Sequence, residues 1–195
     1  MSGYRNASGR IKRKNIQIVV TEGLSEEIYL GRIRAMFEGT PIHTINAGGG
    51  DIGKLKRECL KIIHDRERWD MLAVVTDMDE KSVSDIEKFA EWCKHNNVEL
   101  YLSNPSFEVF LLMHYQDVKG NMSQSNLEET LGRNIGRRYD KAKGIRLTED
   151  SVREAIRRAE RVLPKNSEPV QGVAETRGTT NFHRLLGKIS DILRI

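Results

Sequence analysis

DMLAVVTDMDE, residues 70–80, is the stretch whose reading decides the fold. Met71 to Val75 are apolar without a break, so an extended strand here carries apolar side chains on both faces. Strands of that kind belong to parallel sheets covered by helices on both sides. The stretch then ends on Asp77, Asp79 and Glu80. A turn needs one or two polar residues, and Asp serves well. Carboxylates two apart on extended chain, however, point the same way and repel unless something positive lies between them. The stretch therefore asks for a partner.

Working outward, apolar runs and helical patterns alternate. NIQIVVTEG (15–23) reads as a strand and SEEIYLGRIRAMFEG (25–39) as a helix, with Ser25 its cap and Glu26 and Glu27 in the first turn, where negative charge is favoured. PIHTINAG (41–48) reads as a second strand, followed by a glycine-rich turn into a helix over 48–69. After the strand at 70–77 come a serine-started helix, SVSDIEKFAEWCKHNN (82–97), and a fourth strand, VELYLSN (98–104). These alternations predict an α/β fold: a mostly parallel four-stranded sheet built from right-handed crossovers and flanked by helices. SFEVFLLMHY (106–115) reads as a short buried helix ending the core, which spans 15–115.

A basic arm, 1–14, precedes that core, and a mostly helical basic region, 116–195, is expected to pack on it. Within that region residues 116–131 are polar and serine-rich, with no clear element. A helix is expected over 149–163, capped by Thr148 and stopped by Pro164, then a loop over 164–179 and a closing helix, NFHRLLGKISDILRI.

The net charge of +4 is unevenly spread: residues 1–14 carry five basic residues and no acid, 15–131 carry 12 basic against 20 acidic, and 132–195 carry 15 against 8. An acidic body between basic ends suits acids that hold cations while the flanks meet a phosphate backbone, although a solvated charged helix in the tail gives much of the same asymmetry. No apolar run approaches 18 residues and the first segment lacks a signal peptide's apolar stretch, so the expected place is the cytoplasm, with no membrane partner. Cys59 and Cys93 fall on amphipathic helices and read as buried thiols.

Ligands of open parallel sheets bind beyond the carboxyl ends of the strands. Glu22 ends the first strand, Asp77 and Asp79 the third, and Asn104 the fourth. If the first and third strands are neighbours, the three acids meet and need a cation. Hard oxygen ligands favour Mg²⁺ or Mn²⁺, and no Cys/His cluster points to zinc. Asp77 and Asp79 would hold the ion, with Glu22 a ligand or a general base; the alternative is an Asx turn and a solvated glutamate. Gly48, Gly49 and Gly50 form either a backbone nest for phosphate or a tight turn. Glu108, an acid in an apolar run, needs a partner or a metal, and His114 reads as a helix-end residue. Arg137, Arg138, Tyr139 and Lys141 lie in a loop, as candidates to touch phosphate. Thr179, Thr180 and His183 read as a capped helix start, with His183 also a candidate phosphate contact. Arg153, Arg157, Arg158 and Arg161 form a basic stripe beside Val152, Ile156 and Val162, fit to dock onto an ATPase or nucleic acid.

VVTEG with Glu22, followed by VVTDMDE with Asp77 and Asp79, resembles the Toprim catalytic domain of topoisomerases, primases and a class of nucleases. SNPSFEVFLLMHY, then YDKAK, then TTNFHRLL, resembles more narrowly the RloB family of bacterial Toprim-like proteins, over nearly the whole chain from Ile16. Phe110 departs from the family pattern, which has tryptophan there. The resemblance implies Glu22 as general acid or base, Asp77 and Asp79 as metal ligands and Glu108 as an acid near the site. It implies a metal-dependent nuclease of DNA or RNA in antiphage defence or abortive infection, beside an ATPase of the ABC or AAA type. Candidate partners are therefore nucleic acid, such an ATPase and a second copy of the chain. The other readings are a Toprim nucleotidyl transferase and a non-catalytic subunit of a defence complex.

Overall fold

The structure, a computed structural model, describes residues 16–37, 42–49, 51–65, 69–79, 81–118, 120, 122–163 and 168–189. The basic arm, Gly50, Glu80, Pro164 and the end of the closing helix lie outside them. The chain runs β1 (Gln17–Thr21), α1 (Leu24–Met36), β2 (Ile42–Asn46), α2 (Ile52–His64), β3 (Met71–Asp77), α3 (Val83–His95), β4 (Glu99–Asn104) and α4 (Glu108–Leu112). There follow α5 (Gln124–Ile135), α6 (Glu149–Val162), α7 (Pro169–Glu175), β5 (Thr179–Thr180) and α8 (Phe182–Ile189). The sheet order is β2-β1-β3-β4-β5, with the first four strands parallel and β5 antiparallel to β4. A mostly parallel α/β sheet with a C-terminal helical extension is thus the architecture, and β5 adds a fifth strand to the four expected.

Strand alternation sorts the core into two layers. Val19, Ala73, Val75 and Tyr101 pack with α1, α4, α5, α6 and α8, while Ile18, Val20, Leu72, Val74 and Leu100 pack on the other face with α2 and α3. This is why β3 is apolar at successive positions: each face meets helices. Cys59 and Cys93 are buried thiols on α2 and α3. Phe107, Phe110 and Phe182 are fully buried around Tyr29, with Phe107 and Phe182 edge to face at 4.9 Å. Each such ring contributes about 1.5–3 kcal/mol by leaving water. Phe110 fills its position among Tyr29, His114 and Phe182. His114 joins the same cluster, its Nε2 3.2 Å from the Tyr29 hydroxyl and its Nδ1 3.2 Å from Ser151 Oγ. It ties α1 and α6 to the end of α4, and burial, then Arg158, pushes its pKa down to about 3.

Three expectations change. Helix α5 stands partly where 116–131 offered no element: only Leu127, Thr130 and Leu131 of it are buried, too short a stripe to show among polar neighbours, and Ser123 caps it through Asn126 N–H at 3.3 Å. The stretch read as loop over 164–179 contains α7 and the start of β5, whose buried Val173 and Ala174 pack with Met78, Ile86, Leu102 and Leu163. Ser25 does not cap α1; Gly23 holds that position with no side-chain cap. By contrast Thr148 and Ser151 form a reciprocal capping box on α6, and Ser82 caps α3. Among the described residues no helix is long and apolar enough to cross a membrane.

Candidate functional site

The connection from β1 leaves towards β2 on one side and β3 continues towards β4 on the other, so the sheet changes direction between β1 and β3. That is the crevice in which parallel sheets bind ligands. Because β1 ends at Thr21 opposite Val75, Glu22 falls beside the last residues of β3. Its backbone N–H donates to Val75 O (3.0 Å). Its carboxylate accepts from the Thr76 hydroxyl and from Asp77 N–H (3.1 Å). Lys81 completes the arrangement, its ammonium 3.0 Å and 3.2 Å from the two carboxylate oxygens, with both side chains largely buried. Lys81, one residue past Glu80, thus pairs with Glu22, while among the described residues no cation stands within ion-pair distance of Asp77 or Asp79.

Asp77 points into a cleft of about 340 Å³ whose lining includes Glu22, Glu26, Asp79, Glu108 and Lys141. Asp77 is partly exposed as a residue, but its Oδ1 is buried and has no hydrogen-bond partner. Burial, then the charges of Glu26, Glu22 and Glu108, hold its carboxyl well above the usual range against the pull of Lys81. Asp79 sits at φ 29, a left-handed backbone that Asp tolerates better than most residues, and its N–H donates to Pro105 O at 2.8 Å. Met78 N–H donates to Ser103 O at 2.8 Å, so the turn is stitched to the end of β4.

Glu26, one helical turn beyond Glu22, is buried at 3% exposure. Burial, with Glu108 and Glu22 adding to it, pushes its carboxyl up to about 7 against its own backbone hydrogen bond and Lys141. Glu108, 1% exposed, opens α4 on the aromatic cluster. It accepts from Ser25 Oγ (3.2 Å) and Tyr139 Oη (3.3 Å), and Lys141 lies 3.7 Å away. Half-burial pulls the Lys141 ammonium down, but Glu108, Glu128, Asp77 and Glu26 outweigh it and raise its pKa.

The five carboxylates are hard oxygen donors, and Asp77 Oδ1 is a buried atom without a partner, so the chemistry of the set fits a hard divalent cation. Among the described residues, no three Asp, Glu, His or Cys side chains stand close enough to hold an ion as they are. Glu22 is turned to Lys81 and Thr76, and Glu108 to Ser25 and Tyr139.

The model of the RloB-like protein family matches residues 17–189, from the first strand to the last helix. The chain belongs to the RloB-like family. Membership supports a role in processing nucleic acid. No curated protein and no solved structure matches this RloB-like chain.

The other candidates divide. Gly48 and Gly49 line the cleft at positive φ, 72 and 133, but their N–H groups donate to Asn46 Oδ1 (2.8 Å) and Glu22 O (3.0 Å). They shape the turn beside Glu22 and leave no free N–H for phosphate. Asn104 is buried away from the cleft, its amide donating to Val173 O and Ala174 O at 2.9 and 3.1 Å. Tyr139 and Lys141 reach the acids through Glu108. Arg137 instead braces the loop, donating to Gly144 O at 2.9 Å and Arg138 O at 3.3 Å. Arg138 lines surface hollows with Tyr139. His183 is buried on α8, with Nδ1 unpartnered, and does not line the cleft; burial, then Arg184, lowers its pKa to about 4.

The arginine stripe of α6 is spent within the chain. Arg153 pairs with Glu149 and Arg157 with Glu154, Arg158 donates to Met113 O at 2.6 Å, and Arg158 and Arg161 share Asp117 and Glu154.

Sequence reasoning missed Glu26, Ser25 and Lys81. Glu26 carried a sufficient local explanation as a first-turn acid. The available signal was its position one turn after Glu22 on a helix that starts at the strand's carboxyl end. For Lys81 the signal was adjacency to the acids that needed it.

Proposed function

We propose that this RloB-like protein is a metal-dependent nuclease that hydrolyses phosphodiester bonds in DNA or RNA, in the antiphage setting, beside an ATPase, that the family resemblance implies. The observation that carries this reading is the cleft at the β1–β3 switch point, where Glu22, Glu26, Asp79 and Glu108 line the same cleft as a buried, unpartnered Asp77 oxygen.

Asp77, Asp79 and Glu22 are the residues that would hold Mg²⁺ or Mn²⁺, with Glu26 beside them. When bound, the ion would neutralise charge developing on the phosphate and make water a better nucleophile. The chain's own groups supply the rest. Glu26, whose carboxyl burial and the neighbouring acids raise in the metal-free cleft, would be drawn towards its ionised form by the charge of the ion and can accept the proton that water loses as its oxygen bonds to phosphorus. The P–O bond to the departing nucleoside breaks, and its oxygen takes up a proton from solvent or from a protonated cleft acid. Lys141, on the cleft wall beside Glu108, places positive charge where a phosphate oxygen would lie. Ser25, Tyr139 and the aromatic cluster fix Glu108 and so hold Lys141 over the cleft.

The test is incubation of labelled DNA and RNA, single- and double-stranded, with the protein and Mg²⁺ or Mn²⁺. Cleavage that disappears in Asp77→Ala supports the proposal; equal cleavage by that variant contradicts it.

A further inference from the structure

A second hollow, of about 790 Å³, meets the acid cleft at Glu22 and Asp79 and opens on the opposite side, between α2 and α3. Its other lining residues are Asp51, Ile52, Lys56, Lys81, Asp85 and Lys88. Four acids, Glu22, Asp51, Asp79 and Asp85, face three lysines; Asp79 belongs to the acid cleft as well, and the side chains of the other three are engaged. Asp51 caps α2, accepting from Gly53 N–H at 2.8 Å. Asp85 accepts from the Ser82 hydroxyl at 2.6 Å, and Glu22 is held by Lys81 and Thr76. Lys56 and Lys88 have no ion-pair partner within 4.0 Å among the described residues. The Lys56 ammonium is instead positioned over the rings of Phe89 and Trp92, at 5.7 and 5.5 Å from their centroids. The hollow thus offers two ammonium groups outside ion-pair distance of any acid among the described residues, Lys56 oriented by packing and Lys88 near Asp85, on a path that ends at the carboxylates.

We infer that this hollow is the approach groove for a nucleic-acid strand, with Lys56 and Lys88 binding successive phosphates on one side of the bond to be cut. Lys81 marks the place where the groove passes Glu22, and Lys141 lies beyond the acids on the far wall. The strand crosses the carboxyl edge of the sheet from the α2–α3 side instead of lying along the arginines of α6, whose charges are paired within the chain. The inference rests on the nuclease reading for the identity of the strand, but it concerns binding alone.

The test is the affinity of the protein for fluorescein-labelled single-stranded DNA and RNA of one sequence, measured by anisotropy in EDTA over a series of salt concentrations. Lys56→Gln with Lys88→Gln should weaken binding about tenfold or more at low salt. The slope of log K against log salt should fall by about 1.4, the value for two phosphate contacts on a single strand. Arg153→Gln with Arg157→Gln should leave affinity and slope at the wild-type values. A wild-type slope in the lysine variant, with its fold intact by circular dichroism, overturns the inference, as does loss of binding in the arginine variant. Wild-type cleavage with lysine-independent binding removes the groove and leaves the nuclease standing. Lysine-dependent binding without any metal-dependent cleavage removes the nuclease and leaves the groove.

Discussion

Two charged regions of this molecule are built on opposite terms. On α6, Arg153, Arg157, Arg158 and Arg161 are matched with Glu149, Glu154 and Asp117. At the β1–β3 edge, Glu22, Glu26, Asp77, Asp79 and Glu108 share a cleft with far less compensation, and one buried Asp77 oxygen has no partner. Charges matched inside a chain are spent on structure, whereas like charges gathered and partly buried raise one another's pKa and wait for something from outside. The difference teaches where to look for function: the stripe that is conspicuous in sequence is internally satisfied, and the cleft is not.

The largest effect that sharpens this contrast is at Asp77. Asp77→Asn should lower metal-dependent cleavage by about a thousandfold or more, the scale expected when preorganised transition-state electrostatics are removed. The same substitution should leave the metal-free fold as stable or more so, because it deletes a repelling buried carboxylate; denaturant unfolding of both proteins checks this.

The next concerns pH. The carboxyl of Glu26 rises from 4.5 to about 7 on folding, so its contribution to stability is fully present below pH 4.5 and is lost as pH rises through 7. Asp77 shifts in the same direction. Metal-free protein should therefore lose about 3 kcal/mol of stability between pH 5 and pH 8 through Glu26. Glu26→Gln should flatten much of that slope in urea titrations in EDTA, and a slope unchanged by the substitution would count against a buried acid cluster.

Smaller effects belong to α6. Arg158→Ala should destabilise the protein by about 1–3 kcal/mol, since it removes a charged donor from Met113 O and two acid partners at a side chain only 17% exposed. Arg157→Ala breaks an exposed pair and should change stability by less than about 0.5 kcal/mol. Neither should alter cleavage per folded molecule; a large drop with Arg157→Ala would return the stripe to the functional surface.

Much of this contrast is readable before any coordinates. The unbroken apolar run of β3 announces a two-faced sheet, and acids placed just after such runs, Glu22, Asp77 and Asp79, are conspicuous because a strand end does not need them. Glu26 is not conspicuous, because helix-start electrostatics already explain it and only the third dimension shows its burial. Two of the α6 arginines mislead for a similar reason: Arg158 and Arg161 share Asp117, 41 or more positions away in sequence, and pairing across such a distance leaves no periodic trace, whereas Arg153 and Arg157 pair with Glu149 and Glu154 at a helical spacing the sequence does show. Helix α5 is hidden because its core contact is small, and α7 because glycine, proline and polar residues mask the two buried side chains that anchor it.

The most direct test is a Mn²⁺ titration followed by electron paramagnetic resonance near pH 7, with released protons counted in weak buffer, on the wild type and on Asp77→Asn. Saturable binding that releases about one proton or more per ion, because the cleft acids must give up protons to become ligands, and that weakens at least about tenfold in the variant, is the result expected of this cleft. Mn²⁺ that binds without releasing protons and with equal affinity in both proteins, or that does not bind saturably at all, would contradict it.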